Sequence, residues 1–321
     1  MNLKTIEYFL TIADELNITK AADRICISQQ ALSGQLKRLE DELQTPLFYR
    51  KPTLRLTAAG KQLQYYGMQL IRTETNFKTA LMDLGLNTSA SLRFGISRLR
   101  SEAFFPLIWK FYHESHPNID IELINGSSAD FEKMLENGKL DLYLGVDPPV
   151  GYNRHIVPLQ SEKIWCGIPV GLLKKYYPDN WEKLLENFEK NGVDPKLIAR
   201  MPFLGMRQGN HLRWSVDEYM SGYGVLHYTL ETDEQEILYQ AARAGSGVCI
   251  ISPVVLYRHH RDADFGDDSL RTFPMTKAMY ESKTCLVYST LYPLPTYMQD
   301  FIRDVTQIFQ SYAHSTDKGF L

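Results

Sequence analysis

The sequence predicts an α/β chain in three parts: a small helical N-terminal domain closed by a basic hairpin, one long helix, and a larger domain of alternating strands and helices. Three observations predict it. Residues 18–60 hold two short helical patterns, a tight turn and a hairpin in close succession. Residues 58–86 repeat apolar side chains every seven positions. From Ser91 onward, short apolar runs of strand length alternate with amphipathic stretches of helix length.

At 321 residues the chain is too long for one simple core. Its 44% apolar and 23% charged residues are those of a soluble globular protein. No run approaches the roughly 20 apolar residues that span a bilayer, so no membrane partner is expected. The chain enters an amphipathic helix at once, without a basic-then-apolar leader, which predicts a cytoplasmic protein. Cys26, Cys166, Cys249 and Cys285 never form a CxxC and lie in or beside apolar segments. Buried reduced thiols are expected, with a redox pair as the alternative.

Leu3, Ile6, Phe9, Leu10 and Ala13 mark the first helix. Thr19 is the expected N-cap of the second, whose Ala21, Ala22 and Ile25 suit close packing. After a turn at Ile27, Ser28 caps a third helix. Its Leu32, Leu36, Leu39 and Leu43 face a core, and Gln30, Ser33, Gly34, Lys37 and Arg38 lie opposite. Two helices at this spacing, the second with a polar face, form a device for entering a DNA major groove. Glutamine both donates to and accepts from base edges, and a helix N-terminus favours a phosphate oxygen. The hairpin spans Phe48–Thr57, with Lys51-Pro52-Thr53 as its turn and Arg50 and Arg55 as cations on its strands. Such a basic wing holds the backbone or probes the minor groove.

The net charge of −3 does not suggest a nucleic-acid binder, but the charge is unevenly spread. No acid occurs between Glu42 and Glu74, while Arg50, Lys51, Arg55, Lys61 and Arg72 fall inside that gap. This stripe is the footprint expected of phosphate contacts. Thr57 then caps a helix reaching to about Leu86, roughly 40 Å long at its rise per residue. Leu63, Leu70, Phe77 and Leu84 form its heptad stripe, with Tyr66, Thr73 and Ala80 between. The stripe pairs with a second copy of the helix or packs on its own domains.

Several motifs together carry a family resemblance: Ala21-Ala22, Ser28-Gln29, Ala31-Leu32-Ser33, Gln35-Leu36, Leu39-Glu40, Leu43, Pro46-Leu47-Phe48, Arg50 and Leu56-Thr57-Ala58-Ala59-Gly60. In these residues the N-terminal domain resembles the winged helix-turn-helix of LysR-type transcriptional regulators. Two departures stand out: the family often has proline where this chain has Gln30, and arginine where it has Gly34. The resemblance extends, less specifically, to Leu92–Ile96, Pro117, Gly138-Lys139-Leu140-Asp141-Leu142 and Ala244-Gly245-Ser246-Gly247-Val248 leading to Pro253. It implies a two-lobed, periplasmic-binding-protein-like α/β effector domain with a ligand cleft between its lobes. It also implies double-stranded operator DNA, a small-molecule effector and RNA polymerase as partners, and a homodimer or homotetramer. The expected division is 1–57 for the reader, 58–87 for the linker and 88–321 for the effector domain. Lobe I takes about 88–163 and 283–321, and lobe II about 164–282.

Strands are expected at 92–97, 119–125, 140–146, 202–206, 227–232, 248–252 and 283–289, and helices near 101–116, 129–137, 211–221, 234–244 and 295–311. The chain should cross between lobes near Glu162–Pro169 and return near Ser282–Tyr288. Gly171–Arg200 is longer than the family norm, either an insertion shaping the cleft or a surface helix. Ligands of α/β sheets sit beyond the carboxyl ends of strands. Ser97, Arg98, Ser101, Ser127 and Ser128 are therefore expected on one side of the cleft, and Arg207, Gln208 and Thr232 on the other. Hydroxyls, an amide and arginines suit an anionic effector. For DNA the expected contacts are Ser28, Gln29, Gln30, Ser33, Lys37, Arg38, Arg50, Lys51 and Arg55.

The rival classes are an enzyme domain fused to a DNA-binding module and a stand-alone solute-binding protein. No Walker loop, dinucleotide fingerprint, GxSxG or HExxH occurs. The one histidine pair, His259-His260, lacks a ligand pattern around it. The sequence therefore predicts no catalytic residues, metal or cofactor.

Overall fold

The computed structural model describes residues 1–83, 90–261, 269–276, 281–291 and 294–317. Helix α1 (Leu3–Glu15) starts where the Asn2 side chain accepts from the Thr5 N–H, and it buries Ile6, Phe9, Ile12 and Ala13. Helix α2 (Ile18–Arg24) is capped by Asn17, whose side-chain Oδ1 accepts from the Thr19 and Lys20 N–H groups, so the cap lies two residues before the expected Thr19. Helix α3 (Gln29–Leu43) opens on Ser28, whose hydroxyl accepts from the Ala31 N–H at 3.2 Å. Leu32, Leu36 and Leu39 are buried, but Leu43 is 38% exposed. The helix ends there because Gln44 turns left-handed at φ 53°, carrying the stripe out of the core. Strands β1 (Phe48–Tyr49) and β2 (Arg55–Leu56) form the wing. Helix α4 (Ala58–Asp83) follows, its first turn capped by the Thr57 hydroxyl accepting from Gly60.

Two five-stranded sheets make up the rest. The first contains β3 (Ala90–Ile96), β4 (Ile119–Asn125), β5 (Leu142–Val146), β6 (Arg154–Lys163) and, from the far end of the chain, β12 (Glu281–Ser289). Its order is β4-β3-β5-β12-β6, with β3 parallel to β4 and β5, and β12 antiparallel to β5 and β6. Helices α5 (Arg98–Ser115), α6 (Ser128–Glu136) and α13 (Thr296–Asp317) flank it. Phe94, Phe104, Ile108, Tyr112, Phe301 and Phe309 fill its main core. Each such fully buried side chain contributes on the order of 1.5–3 kcal/mol.

The second sheet has order β11-β7-β10-β8-β9. Its strands are β7 (Trp165–Pro169), β8 (Pro202–Met206), β9 (His227–Thr232), β10 (Val248–Ile251) and β11 (Leu270–Pro274). Helices α7 (Val170–Tyr176), α8 (Trp181–Asn191), α9 (Pro195–Ile198), α10 (His211–Met220), α11 (Gln235–Arg243) and α12 (Pro253–Arg261) accompany it. Phe188, Val193 and Ile198 are fully buried, so the 171–200 segment supplies a wall of this core and is more than a surface helix. Helix α12, expected within the second lobe, divides its side chains: Val254 joins the first core while Val255 and Leu256 join the second.

Strand β6 escapes the sequence pattern because Pro158 interrupts it. The sheet tolerates proline there because β6 is an edge strand, and the register slips beside it, between Thr284 and Cys285. The chain passes between sheets at Ile164 and returns between Pro274 and Glu281, a few residues before the expected point. At the crossing, Arg100 Nη2 donates to Glu162 Oε2 at 2.9 Å and to the Thr284 hydroxyl at 3.2 Å. All three residues are buried.

Candidate nucleic-acid interface and effector cleft

The tight join between α2 and α3 rests on small residues. Ala21 and Ala22 are buried, and the intervening turn is closed by Ile27 N–H donating to the Ala22 carbonyl at 3.1 Å. This presents one face of α3 to solvent. Ser28, Gln29, Gln30, Lys37 and Arg38 are exposed and Ser33 half-buried, directly behind which lie the buried Leu32, Leu36 and Leu39. The Ser28 oxygen accepts in the helix cap, while its O–H and the first-turn glutamines remain outward donors. Gly34 stands on the same face, with open space where a Cβ would be.

The wing is clamped to the back of α3 by Glu40, a residue given no role by the sequence reading. Its Oε1 accepts from the Leu47 and Phe48 N–H groups at 2.8 and 3.3 Å, and its Oε2 pairs with Arg50 at 3.1 Å. Arg50 is therefore tied to its own domain, though still half in solvent. Lys51 and Arg55 are exposed on the wing, as is Lys61 at the start of α4. Arg72 departs from the expected phosphate stripe. Its side chain is only 13% exposed and lies 3.5 Å from Asp141 of the effector domain.

On α4 the heptad positions separate into two environments. Leu63 packs half-buried on the reader core, whereas Leu70 and Phe77 are 43% and 63% exposed, with Tyr66 beside them at 57%. Leu84 lies outside the described residues. Beside this stripe the helix packs on α1: a Cβ on Gly67 would stand 2.8 Å from Ile6 Cγ2.

Ser97 and Ser101 follow the carboxyl end of β3, and Ser127 and Ser128 that of β4. Ser101 donates to Asn125 Oδ1 at 3.0 Å, and Ser128 Oγ accepts from the Val146 N–H at 3.3 Å. Ser127 caps α6 and donates to Asp130 at 2.6 Å, and this bond holds the Asp130 carboxyl below the usual carboxylate range. Ser97 precedes α5 without capping it, and its hydroxyl is buried with no partner. Across the cleft, Thr232 Oγ1 accepts from the Glu234 N–H, the Thr232 carbonyl accepts from the Arg207 N–H, and Gln208 is exposed. The two arginines are both charge-paired. Arg207 meets Asp233 at 3.0 Å, and Arg98 meets Glu102 at 3.1 Å and, across the lobes, Glu234 at 3.5 Å. Neither guanidinium is therefore unpaired.

The cysteines resolve by strand register. Cys166 opposes Ile250 and Cys249 opposes Gly167, so the two thiols leave opposite faces of the second sheet and join different cores. Burial pushes the Cys249 thiol up to about 12 and Cys166 well above its ordinary value, which makes both poor thiolates. Among the described residues all four cysteines are free, and no cluster of metal-ligating side chains occurs. His259 Nε2–H donates to Glu236 Oε1 at 2.7 Å, and the ring stacks on Tyr239. The His260 side chain lies outside the described residues.

Residues 3–61 match the bacterial regulatory helix-turn-helix protein family of LysR type, and residues 87–310 match the LysR substrate binding domain. The HTH-type transcriptional regulator YcgK of Bacillus subtilis is 26% identical over 274 residues, covering 83% of each chain. The transcriptional activator IlvY of Salmonella typhimurium is 29% identical over 149 residues, 46% of this chain and 50% of that one. Full-length OxyR from Pseudomonas aeruginosa superposes with a TM-score of 0.68 at 21% identity, covering 97% of this chain and 95% of that one. CbnR in complex with its target DNA gives 0.58 at 14% identity, covering 96% of this chain and all of that one (100%). These structures share the fold, and the two family matches together span the reader and both sheets. The chain belongs to the LysR family of transcriptional regulators.

Proposed function

We propose that this regulator reads a two-fold operator as a homodimer or a homotetramer built from two dimers. Gln29, Gln30 and Ser33 of α3 meet base edges, and Lys37, Arg38, Lys51 and Arg55 meet phosphates. A small effector with hydrogen-bonding and anionic groups binds between the lobes at Ser97, Ser101, Ser127 and Ser128, with Arg98, Arg207, Gln208 and Thr232 at its rim. Its binding changes the spacing of the readers through the paired α4 helices, and in the cytoplasm this alters how RNA polymerase engages the promoter. The effector shifts that equilibrium only by its differential affinity for the two arrangements. We assign the chain no catalytic step.

The observation that carries this reading is the outward face of α3, polar and cationic over a buried leucine stripe. A gel-shift series across salt tests it. Gln30→Ala with Ser33→Ala should cost about 1–3 kcal/mol per lost base pair contact and relax sequence preference. Lys37→Ala should weaken all sequences alike and lower the salt slope by about one. Unchanged affinity and selectivity in the Gln30/Ser33 variant would refute the assignment of α3.

A further inference from the structure

One cation of the wing is committed inside the protein. Lys37, Arg38, Lys51 and Arg55 meet no carboxylate among the described residues, whereas Arg50 Nη2 stands 3.1 Å from Glu40 Oε2. We propose that Glu40 holds Arg50 as a charge-neutral pair, which removes Arg50 from the phosphate contacts and limits how tightly the reader grips any DNA. That role depends on the DNA face of α3 and the wing proposed above.

The carboxylate is fixed independently of the arginine. Its Oε1 accepts from the Leu47 and Phe48 N–H groups, so the place of Oε2 is set by backbone and little further ordering is needed to form the pair. The Glu40 side chain is only 11% exposed, while Arg50 stands half in solvent. Glu40 also lies in the last turn of α3, where the helix dipole disfavours a negative charge. Arg50 answers that charge. Drawing it away to a phosphate would leave a nearly buried carboxylate without its cation, which is costly.

A guanidinium has donors to spare, so Arg50 keeps the capacity for a further hydrogen bond. What the pair lacks is net charge. Counterion release follows the charge that a protein brings to the phosphates, and Arg50 with Glu40 brings none. Phosphate contacts raise affinity for every sequence alike. A reader with one fewer leaves non-specific sites sooner and keeps its preference for the operator.

Anisotropy titrations of the full chain across about 50–200 mM salt test this role. The probes are a duplex selected from random sequences by the parent protein and the unselected pool. Glu40→Gln keeps an acceptor for the two N–H groups and removes the charge. It should steepen the salt slope by about one per reader and tighten both duplexes about three- to tenfold at about 0.1 M salt, with the ratio between them unchanged. Glu40→Gln with Arg50→Gln retains a hydrogen-bonding pair without either charge, and it decides the matter should the single variant not fold. Its slope should equal the parent's. Lys51→Ala, which loses a phosphate contact, should lower the slope by about one. The proposal is overturned if Glu40→Gln leaves the slope unchanged or loosens both duplexes, as a clamp that only shapes the wing would. It is equally overturned if the double variant's slope falls by about one, because Arg50 would then already sit on a phosphate. Either failure counts against Glu40 alone when Lys37→Ala and Lys51→Ala behave as stated. If both of those are silent, the proposed DNA face is wrong and the role of Glu40 falls with it.

Discussion

Two glycines in the reader have opposite reasons for being glycine. A Cβ on Gly60 would stand 2.2 Å from the Leu47 carbonyl oxygen and 2.9 Å from Leu56 Cδ2. That carbonyl cannot retreat freely, because it accepts from the Thr57 N–H at 2.9 Å, and the Thr57 hydroxyl in turn donates to the Pro46 carbonyl. The close approach joins the wing to the first turn of α4. Gly60→Ala is therefore expected to cost about 1–3 kcal/mol, at the upper end because backbone must move. Gly34 meets nothing, and its helical position gains from a side chain. Gly34→Ala should stabilise the free protein by about 0.8–1 kcal/mol. Urea denaturation of both variants checks the pair: a Gly60→Ala protein as stable as the parent, or a Gly34→Ala protein less stable than it, contradicts this account.

The linker helix is half reader core and half unfinished surface. Leu70 and Phe77 follow Leu63 in the heptad but stay 43% and 63% exposed among the described residues, and exposed side chains of this size in a helical seam are what a partner helix buries. Leu70→Glu with Phe77→Glu should convert the oligomer to monomers in sedimentation velocity and weaken operator binding by the loss of paired half-sites. Oligomers that persist would return the helix to packing on its own chain. The heptad was legible because its period is local, and so were α3 and the strands of the sheet centres, where periodicity and burial agree. Elements at the margins were not. Strand β6 carries Pro158, β11 is a half-buried edge, and α12 divides its apolar residues between two cores, so no single stripe marks it. The Asn17 cap was misplaced by two residues because Asn17 and Thr19 are both good caps, and only backbone geometry chooses between them. The cleft arginines were legible as residues but not as pairs, since Arg207 and Asp233 stand 26 positions apart in sequence.

Both passages of the chain between the two sheets meet at one buried polar group. Glu162 closes the outgoing strand and Thr284 opens the returning one; Arg100 binds both, and Ser252, leading into α12, lies 3.3 Å from the same carboxylate. The end of α13 reaches this group too, for burial and the Glu162 carboxylate push the Tyr312 hydroxyl well above its ordinary value. An ion pair removed from water thus sits where the two lobes join, beside the more exposed Arg98–Glu234 contact and the two-sided packing of α12. Such a pair is costly to break and cheap to replace as a whole. Arg100→Met strands the carboxylate with hydroxyl partners only, and should cost about 3–5 kcal/mol in denaturant unfolding. Arg100→Met with Glu162→Leu should recover most of that loss, giving a large coupling energy in the double-mutant cycle. The restored double variant is the informative one for regulation. It keeps the fold while replacing the polar anchor of both crossings with packing, so a pivot that depends on this anchor will show normal operator affinity and a blunted response to effector. A double variant that unfolds as readily as the single one would mean instead that Arg100 acts by filling space in the first core.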